Sequence, residues 1–463
     1  MKNIDFKIHS KLRCLVLFFY LSGCSEFTQV DLPSSQLTAE AVFSNKNTAN
    51  AAMTDIYSKI REYGLLTGYT SGLSYQLALY TDELQYYGIA GSSNASFYSN
   101  TLLRTDPALT ELWMSSYNQI YAANVVVEGV NASNTLSQAD KNQLIGEAVF
   151  VRGLIHLYLV NIFGPVPYIT TTDYKVNSTV ARMSEKTVYE QIKKDLQLAA
   201  DILPKSYVGS DRVRPNKFAA KALLSRVCLY MQLWDEAANA ASAVLNQTDL
   251  YNWPSSLDGI FEKQSLSTIW QLMPAFDGSN TYEGNVFIFT QGPPASVSIS
   301  NELINAFTSD DLRKTQWLKA VSDGSSTWYH SYKYKKQSST PSSVEYSVVL
   351  RLAEQYLIRA ESRAHTGDLI GAKEDLNKTR KLAGIGNTSA VTSDEILQSV
   401  MTERRLEFFT EFGHRFFDLK RTGRLEQELS TVKPQWKKTN QLLPLPESEL
   451  VLNPNLNPQN DGY

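Results

Sequence analysis

The sequence predicts an all-α domain built on tetratricopeptide-type helical hairpins, with long irregular loops forming its ligand face. Three observations carry this. Apolar residues recur at three- and four-residue spacing over much of the 463-residue chain, as in amphipathic helices. Two helix-turn-helix segments can be laid over one another, the self-similarity expected of helical-hairpin repeats. The long stretches between helices are rich in Gly, Ser, Asn and aromatics and follow neither the helical nor the strand period.

The chain opens with Lys2, Lys7, Lys11 and Arg13, then an apolar run from Cys14 to Leu21 that ends in Leu21-Ser22-Gly23-Cys24. That run is far shorter than the ~20 apolar residues a membrane span requires. Leu-Ser-Gly-Cys resembles the bacterial lipobox, in which cleavage leaves the cysteine first and acylated. Residues 1–23 are therefore expected to be a removed lipoprotein signal peptide, with Cys24 the lipidation site and membrane anchor. Each buried acyl methylene contributes about 0.8 kcal/mol, so several chains hold a domain at a membrane. Residues 24–38, polar and carrying Pro33, read as a lipidated tether to a domain at 39–463.

The first apolar stripe joins Ala49, Ala52, Met53, Ile56, Tyr57 and Ile60. Similar stripes fall at about 107–130, 139–162, 185–202, 215–231, 235–246, 348–365, 369–382 and 393–410. The clearest pair runs Leu352 to His365, turns at Thr366-Gly367-Asp368, and continues from Leu369 to Leu382. A second runs Phe218 to Met231, turns near Leu233 and Trp234, and continues to Leu245, so that Ala372 aligns with Ala237. Small residues such as Ala360, Ala364 and Ala372 let paired helices approach closely, which makes this a packing device.

Two stretches, 63–106 and 248–347, stand outside the hairpins. Tyr86, Tyr87, Phe97 and Tyr98 lie in the first, and Trp317, Trp328, Tyr329, Tyr332 and Tyr334 in the second. Within them, 63–98 and 317–334 each hold roughly twice the aromatics that the chain average of 11% would place there. Long loops on a rigid scaffold are where binding usually resides. Tyr75, Tyr80 and Trp317 sit in helical contexts and are expected in the core.

Composition is that of an ordinary globular protein, 43% hydrophobic and 20% charged. Without residues 1–23 the chain carries 40 basic and 46 acidic residues, a net charge of −6 against −3 for the whole. An acidic balance argues against nucleic acid as a partner. Only Cys228 remains beyond Cys24, so no internal disulfide can form in the processed chain. The five histidines, His9, His156, His330, His365 and His414, show no metal spacing, and no metal or cofactor is expected. Gly68-Tyr69-Thr70-Ser71-Gly72 misses the nucleophile-elbow pattern by one position, and there is no phosphate-binding glycine loop. The acidic pairs Asp82-Glu83 and Asp310-Asp311 suit turns, caps or positioning better than catalysis. No catalytic residue is assigned, and the chain is not expected to be an enzyme.

Seven blocks, in order, resemble the SusD/RagB family of surface lipoproteins. They begin with Asp31-Leu32-Pro33 and Leu37-Thr38 with Val42-Phe43. Next come Glu147 to Gly153 running through Asn161 to Pro167, then Arg214-Pro215-Asn216-Lys217. Leu350 to Glu354 with Leu357 to Glu361 follow, then Glu403 to Glu407, then Gly413 to Arg421. The tail Leu443-Pro444-Leu445-Pro446 with Asn453-Pro454-Asn455-Leu456 and Gly462-Tyr463 completes the series. Arg404, Arg405, Glu407, Arg415 and Asp418 in these blocks read as charge pairs clamping the last helices to the core.

The resemblance implies a SusD-like domain with an N-terminal part at about 39–247 and a C-terminal SusD/RagB part at 248–463. It implies a non-catalytic protein, lipid-anchored at the outer membrane and exposed on the cell surface. Such a protein captures oligosaccharides and passes them to a SusC-like TonB-dependent transporter. A peptide-binding RagB-like uptake role is the alternative, and a surface glycosidase a more distant one. Sugar rings offer apolar C–H faces that stack on aromatics while amides bond the hydroxyls. The expected ligand-binding residues are Tyr86, Tyr87, Asn94, Phe97, Trp328 and Tyr329.

Overall fold

Side-chain caps set where the long helices of the computed structural model begin; it describes residues 39–463, and the expected signal peptide, Cys24 and the expected tether lie outside the described residues. Helix α1 spans Lys46–Glu62, capped by Asn45. Helix α2, Leu73–Tyr80, is buried along its whole length, and α3 covers Ser93–Ser99. Asp106 accepts the Ala108 N–H at 3.0 Å with Pro107 in the first turn, which starts α4 at Pro107–Ala132. Ser137 caps α5, Gln138–Phe163, which stops at Gly164 with φ +74°. Helix α5 is long and apolar enough to cross a membrane by composition, but it is buried almost throughout as a core helix.

Helices α6 (Glu185–Ile202), α7 (Lys217–Tyr230) and α8 (Trp234–Leu245) continue the array, with α5 packed between α4 and α6 and α6 against α7. Helices α10 (Leu352–Thr366) and α11 (Leu369–Leu382) form the second hairpin, and α8 packs on α10. Between them in sequence lies the short α9, Tyr282–Phe287. Ala237, Ala241 and Cys228 pack against Ile358, and Ala360, Ala364 and Ala372 pack around Leu357 and Leu376. The small residues thus lie where the hairpins meet. Gly367 ends α10 with φ +89°, a conformation that glycine adopts without steric cost. Helices α12 (Ser393–Phe408), opened by a Thr392/Glu395 capping box, and α13 (His414–Arg421) close the array.

The molecule is 52% helix and 7% strand. The described strands form three antiparallel pairs: β1 (Leu84–Tyr86) with β3 (Val297–Ile299), β2 (Thr268–Leu272) with β6 (Ser347–Arg351), and β4 (Leu318–Ser322) with β5 (Thr327–Ser331). The apolar stripe beginning at 348 is helical only from Leu352. Val348-Val349-Leu350 is buried on both faces as strand β6, where branched side chains pack well against β2. Opposite it, Trp270 is fully buried, with Phe150 edge-on at 5.2 Å and Tyr57 at 6.3 Å. Residues Phe43–Tyr463 form one compact unit.

Candidate functional site

Strand β3 brings the two aromatic windows to one place. Tyr86 pairs with Val297 across the β1–β3 ladder, and the next N–H, that of Tyr87, donates to the Ser296 carbonyl at 2.7 Å. Strand β3 also packs against β5, which carries Trp328 and Tyr329. The β4–β5 hairpin turns at Asp323-Gly324-Ser325-Ser326, where the Asp323 carboxylate accepts the N–H groups of Ser325 and Ser326 at 2.9 and 2.8 Å. The Trp328 ring lies directly on Gly292: a Cβ there would stand 2.3 Å from the ring. Gly292 and Ser296 belong to one loop, so that loop touches both windows.

The six expected site residues divide. Tyr87 is 40% exposed, and Tyr86, Trp328 and Tyr329 are half-buried. The Tyr86 hydroxyl is fixed by Ser92 Oγ at 2.8 Å and its ring lies 6.1 Å from that of Tyr98. Asn94 sits in the first turn of α3, its amide oxygen without a protein partner. Phe97 is corrected: it is 0% exposed, its ring set edge-on to Tyr80 at 6.0 Å. It fastens α3 to α2, and a ligand cannot reach it without opening the core.

Tyr75 and Tyr80 are core residues that support the face. Tyr75 stacks on Phe287 and its hydroxyl meets Ser296 Oγ. Tyr80 lies among Phe97, Phe416 and Trp436 and donates to the Asn440 carbonyl at 3.0 Å. Two aromatics lie outside the dense windows 63–98 and 317–334 but contact residues within them. Phe289 lies 5.1 Å from His330, and Tyr282 stacks on Tyr69. Both lie in 276–289, which holds four aromatics in fourteen residues, so aromatic density was a signal that could have found them.

Buried charge lies behind the aromatic strands. Asp82 accepts from Arg415 and from Arg405 Nη2 at 2.7 Å. Burial pushes its carboxyl up, but the Arg415 hydrogen bonds and both guanidinium charges outweigh that and leave it below the usual range. Glu83 has no such partner: burial, then the neighbouring Asp82 charge, push it up to about 8. Lys333, beneath the hairpin, is lowered to about 8 by burial; it donates to the carbonyls of Glu407 and Phe409 and to Glu411. Arg313 binds Asp311, Glu403 and Glu407, and Arg351 binds Glu407 and Glu411. Asp311 also caps a short helix, so that half of the Asp310-Asp311 pair is committed to structure.

Two cavities lie elsewhere. One of about 730 Å³ lies between α6 and the α7–α8 turn, lined by Lys186, Tyr189, Lys193 and Tyr230. Another of about 640 Å³ lies between α1 and α4. Both are valleys between packed helices, whereas the aromatic face is an open surface of loops and strand ends.

The architecture defines a class: a scaffold of tetratricopeptide-type helical hairpins presenting an aromatic surface on its loops. The chain belongs to the SusD/RagB family. A family model described as starch-binding associating with outer membrane matches residues 35–229, and the SusD family model matches 276–463. SusD-like protein P2 of Formosa agariphila is 26% identical over 516 residues, covering 98% of this chain and 99% of that one. A SusD-like protein of Bacteroides ovatus is 25% identical over 67% of this chain and 65% of its own. Among solved structures, a SusD superfamily protein from Bacteroides vulgatus aligns with a TM-score of 0.80 at 21% identity, covering 91% of this chain and all of that one. A laminarin binding SusD-like protein aligns with a TM-score of 0.76 at 23% identity and the same coverage.

Proposed function

We propose that this chain is an outer-membrane lipoprotein, anchored through Cys24, that captures oligosaccharides without cleaving them and hands them to a SusC-like TonB-dependent transporter. The observation that carries the reading is the convergence of Tyr86, Tyr87 and Trp328 on the loop holding Gly292 and Ser296. Aromatic faces held on strands offer flat apolar surfaces at fixed positions, which suits stacking on sugar C–H faces. Family membership and the names of its relatives, starch-binding and laminarin binding among them, support the glycan class.

The test is retardation of the folded protein in native gels containing laminarin, amylopectin, xylan or mannan, beside a casein digest offered in solution. Retardation by at least one polysaccharide, without reducing sugar released, is the expected result. Binding of the digest alone would replace the glycan reading with peptide uptake, and released sugar would replace it with hydrolysis. For the anchor, Cys24→Ala is expected to leave the membrane fraction in cells lacking the transporter. Unchanged fractionation would contradict it.

A further inference from the structure

The Tyr69 and Tyr282 rings stack 3.7 Å apart at an interplanar angle of 19°. They come from the two irregular stretches, so these stretches meet at a second place besides β3. Tyr69 is 39% exposed although it is an aromatic ring held in a stack. The pair is held in place from below. The Tyr282 hydroxyl lies 2.9 and 2.8 Å from the two oxygens of Glu62 and donates to that carboxylate. Glu62 also accepts from Arg61 Nε at 2.7 Å, and Arg61 Nη1 donates to the Met273 carbonyl at 3.0 Å. The segment after Met273 carries Phe276, 76% exposed, and its Pro274 lines the same small cavity as Gly68 and Tyr282.

The stack is also tied to the first aromatic face. Tyr282 and Phe287 are the two ends of α9, which advances roughly 8 Å between them. Phe287 stacks on Tyr75, and the Tyr75 hydroxyl meets the same Ser296 whose carbonyl binds Tyr87. One short helix therefore sets the spacing between two aromatic surfaces. A helix-fixed spacing suits an extended ligand that touches both.

We propose that the Tyr69–Tyr282 stack is a second carbohydrate contact, which takes sugar rings of a longer chain beyond those held at Tyr87 and Trp328. This rests on the glycan reading given above. The pre-stacked rings lose little freedom on binding, and the electron-rich face of Tyr69 matches a pyranose ring in size and complements its C–H groups. A contact of this kind adds affinity only for ligands long enough to reach it.

Calorimetry on the folded protein tests it, using oligosaccharides of increasing length from whichever of laminarin, amylopectin, xylan or mannan retards the parent. Tyr69→Ala is expected to remain folded and to keep the parent's affinity for the shortest binding oligosaccharide. It is expected to weaken the longest by about tenfold, the scale of one stacking contact. Tyr69→Trp should restore the long-chain affinity, and Trp328→Ala should weaken short and long ligands alike. Equal affinity of Tyr69→Ala and parent at every length overturns the second contact while leaving the first intact. A parent that binds none of the four polysaccharides overturns the glycan reading itself, and the second contact with it.

Discussion

The Asp82 carboxylate accepts two hydrogen bonds from Arg415, 2.9 Å from Nε and 2.8 Å from Nη2. This joins the residue just ahead of the aromatic strand β1 to helix α13, 333 positions along the chain. Both groups are nearly excluded from water, and Arg405 and Glu428 extend the pair into a network. Removing one partner of a buried pair leaves the other uncompensated. Asp82→Ala should therefore cost about 3–5 kcal/mol in chemical denaturation. A cost under about 1 kcal/mol would show that the clamp is not needed to hold the strand.

Glu83, beside it, gives the fold a pH dependence. Its carboxyl titrates near 4.5 when unfolded and about 8 when folded, through burial and the Asp82 charge. The folded state therefore holds the proton more tightly. Its stabilising share is complete below about 4.5 and is lost as pH rises to about 8. The slope is at most about 1.4 kcal/mol per pH unit. Glu83→Gln, neutral at every pH, should gain on the parent between pH 5 and 8 in urea titrations. Parallel profiles for the two proteins would contradict this.

Gly367 tests the repeat turn. Its φ is +89° and nothing lies within 4 Å of a Cβ built there, so any cost of a side chain is backbone strain alone. Gly367→Val should lose about 1–3 kcal/mol, and Gly367→Asn less, because asparagine tolerates this conformation better. An unchanged melting temperature for the valine variant would remove the turn argument.

Much of the scaffold was legible because helical order is written locally. The stripe expected at 107–130 is Pro107–Ala132, that at 185–202 is Glu185–Ile202, and that at 369–382 is Leu369–Leu382. The charges of the last blocks also pair as anticipated: Arg404 with Asp418, Arg405 and Arg415 with Asp82, and Glu407 with Arg313 and Arg351. The candidate face was less legible. Pairing of Tyr86 with Val297 is set more than two hundred positions away, and nothing in either window encodes that register. Aromatic density could not separate Phe97, which turns into the core, from Tyr87, which faces solvent. Nor does density show that Tyr282 stacks on Tyr69, a contact made across more than two hundred positions.

Gly292 offers a way to disturb the face without deleting an aromatic. A Cβ at this position would stand 2.3 Å from the Trp328 ring, which must move to admit it. Gly292→Ala should weaken glycan binding by roughly tenfold if the ring position matters, one stacking contact in size. Affinity equal to the parent, with an unchanged melting temperature, would show that Trp328 does not depend on this seat.

The central claim is that loop aromatics, and no acid/base pair, carry the activity. Calorimetry of the parent and of the Tyr87→Ala/Trp328→Ala double variant, with the glycan that retards the parent, tests it most directly. The parent should bind in the micromolar to millimolar range, about 4–8 kcal/mol, as capture followed by release requires. The double variant should lose most of that energy while keeping its melting temperature, and neither protein should release reducing sugar. Binding undiminished in the double variant, or glycan cleaved by the parent, would contradict the account.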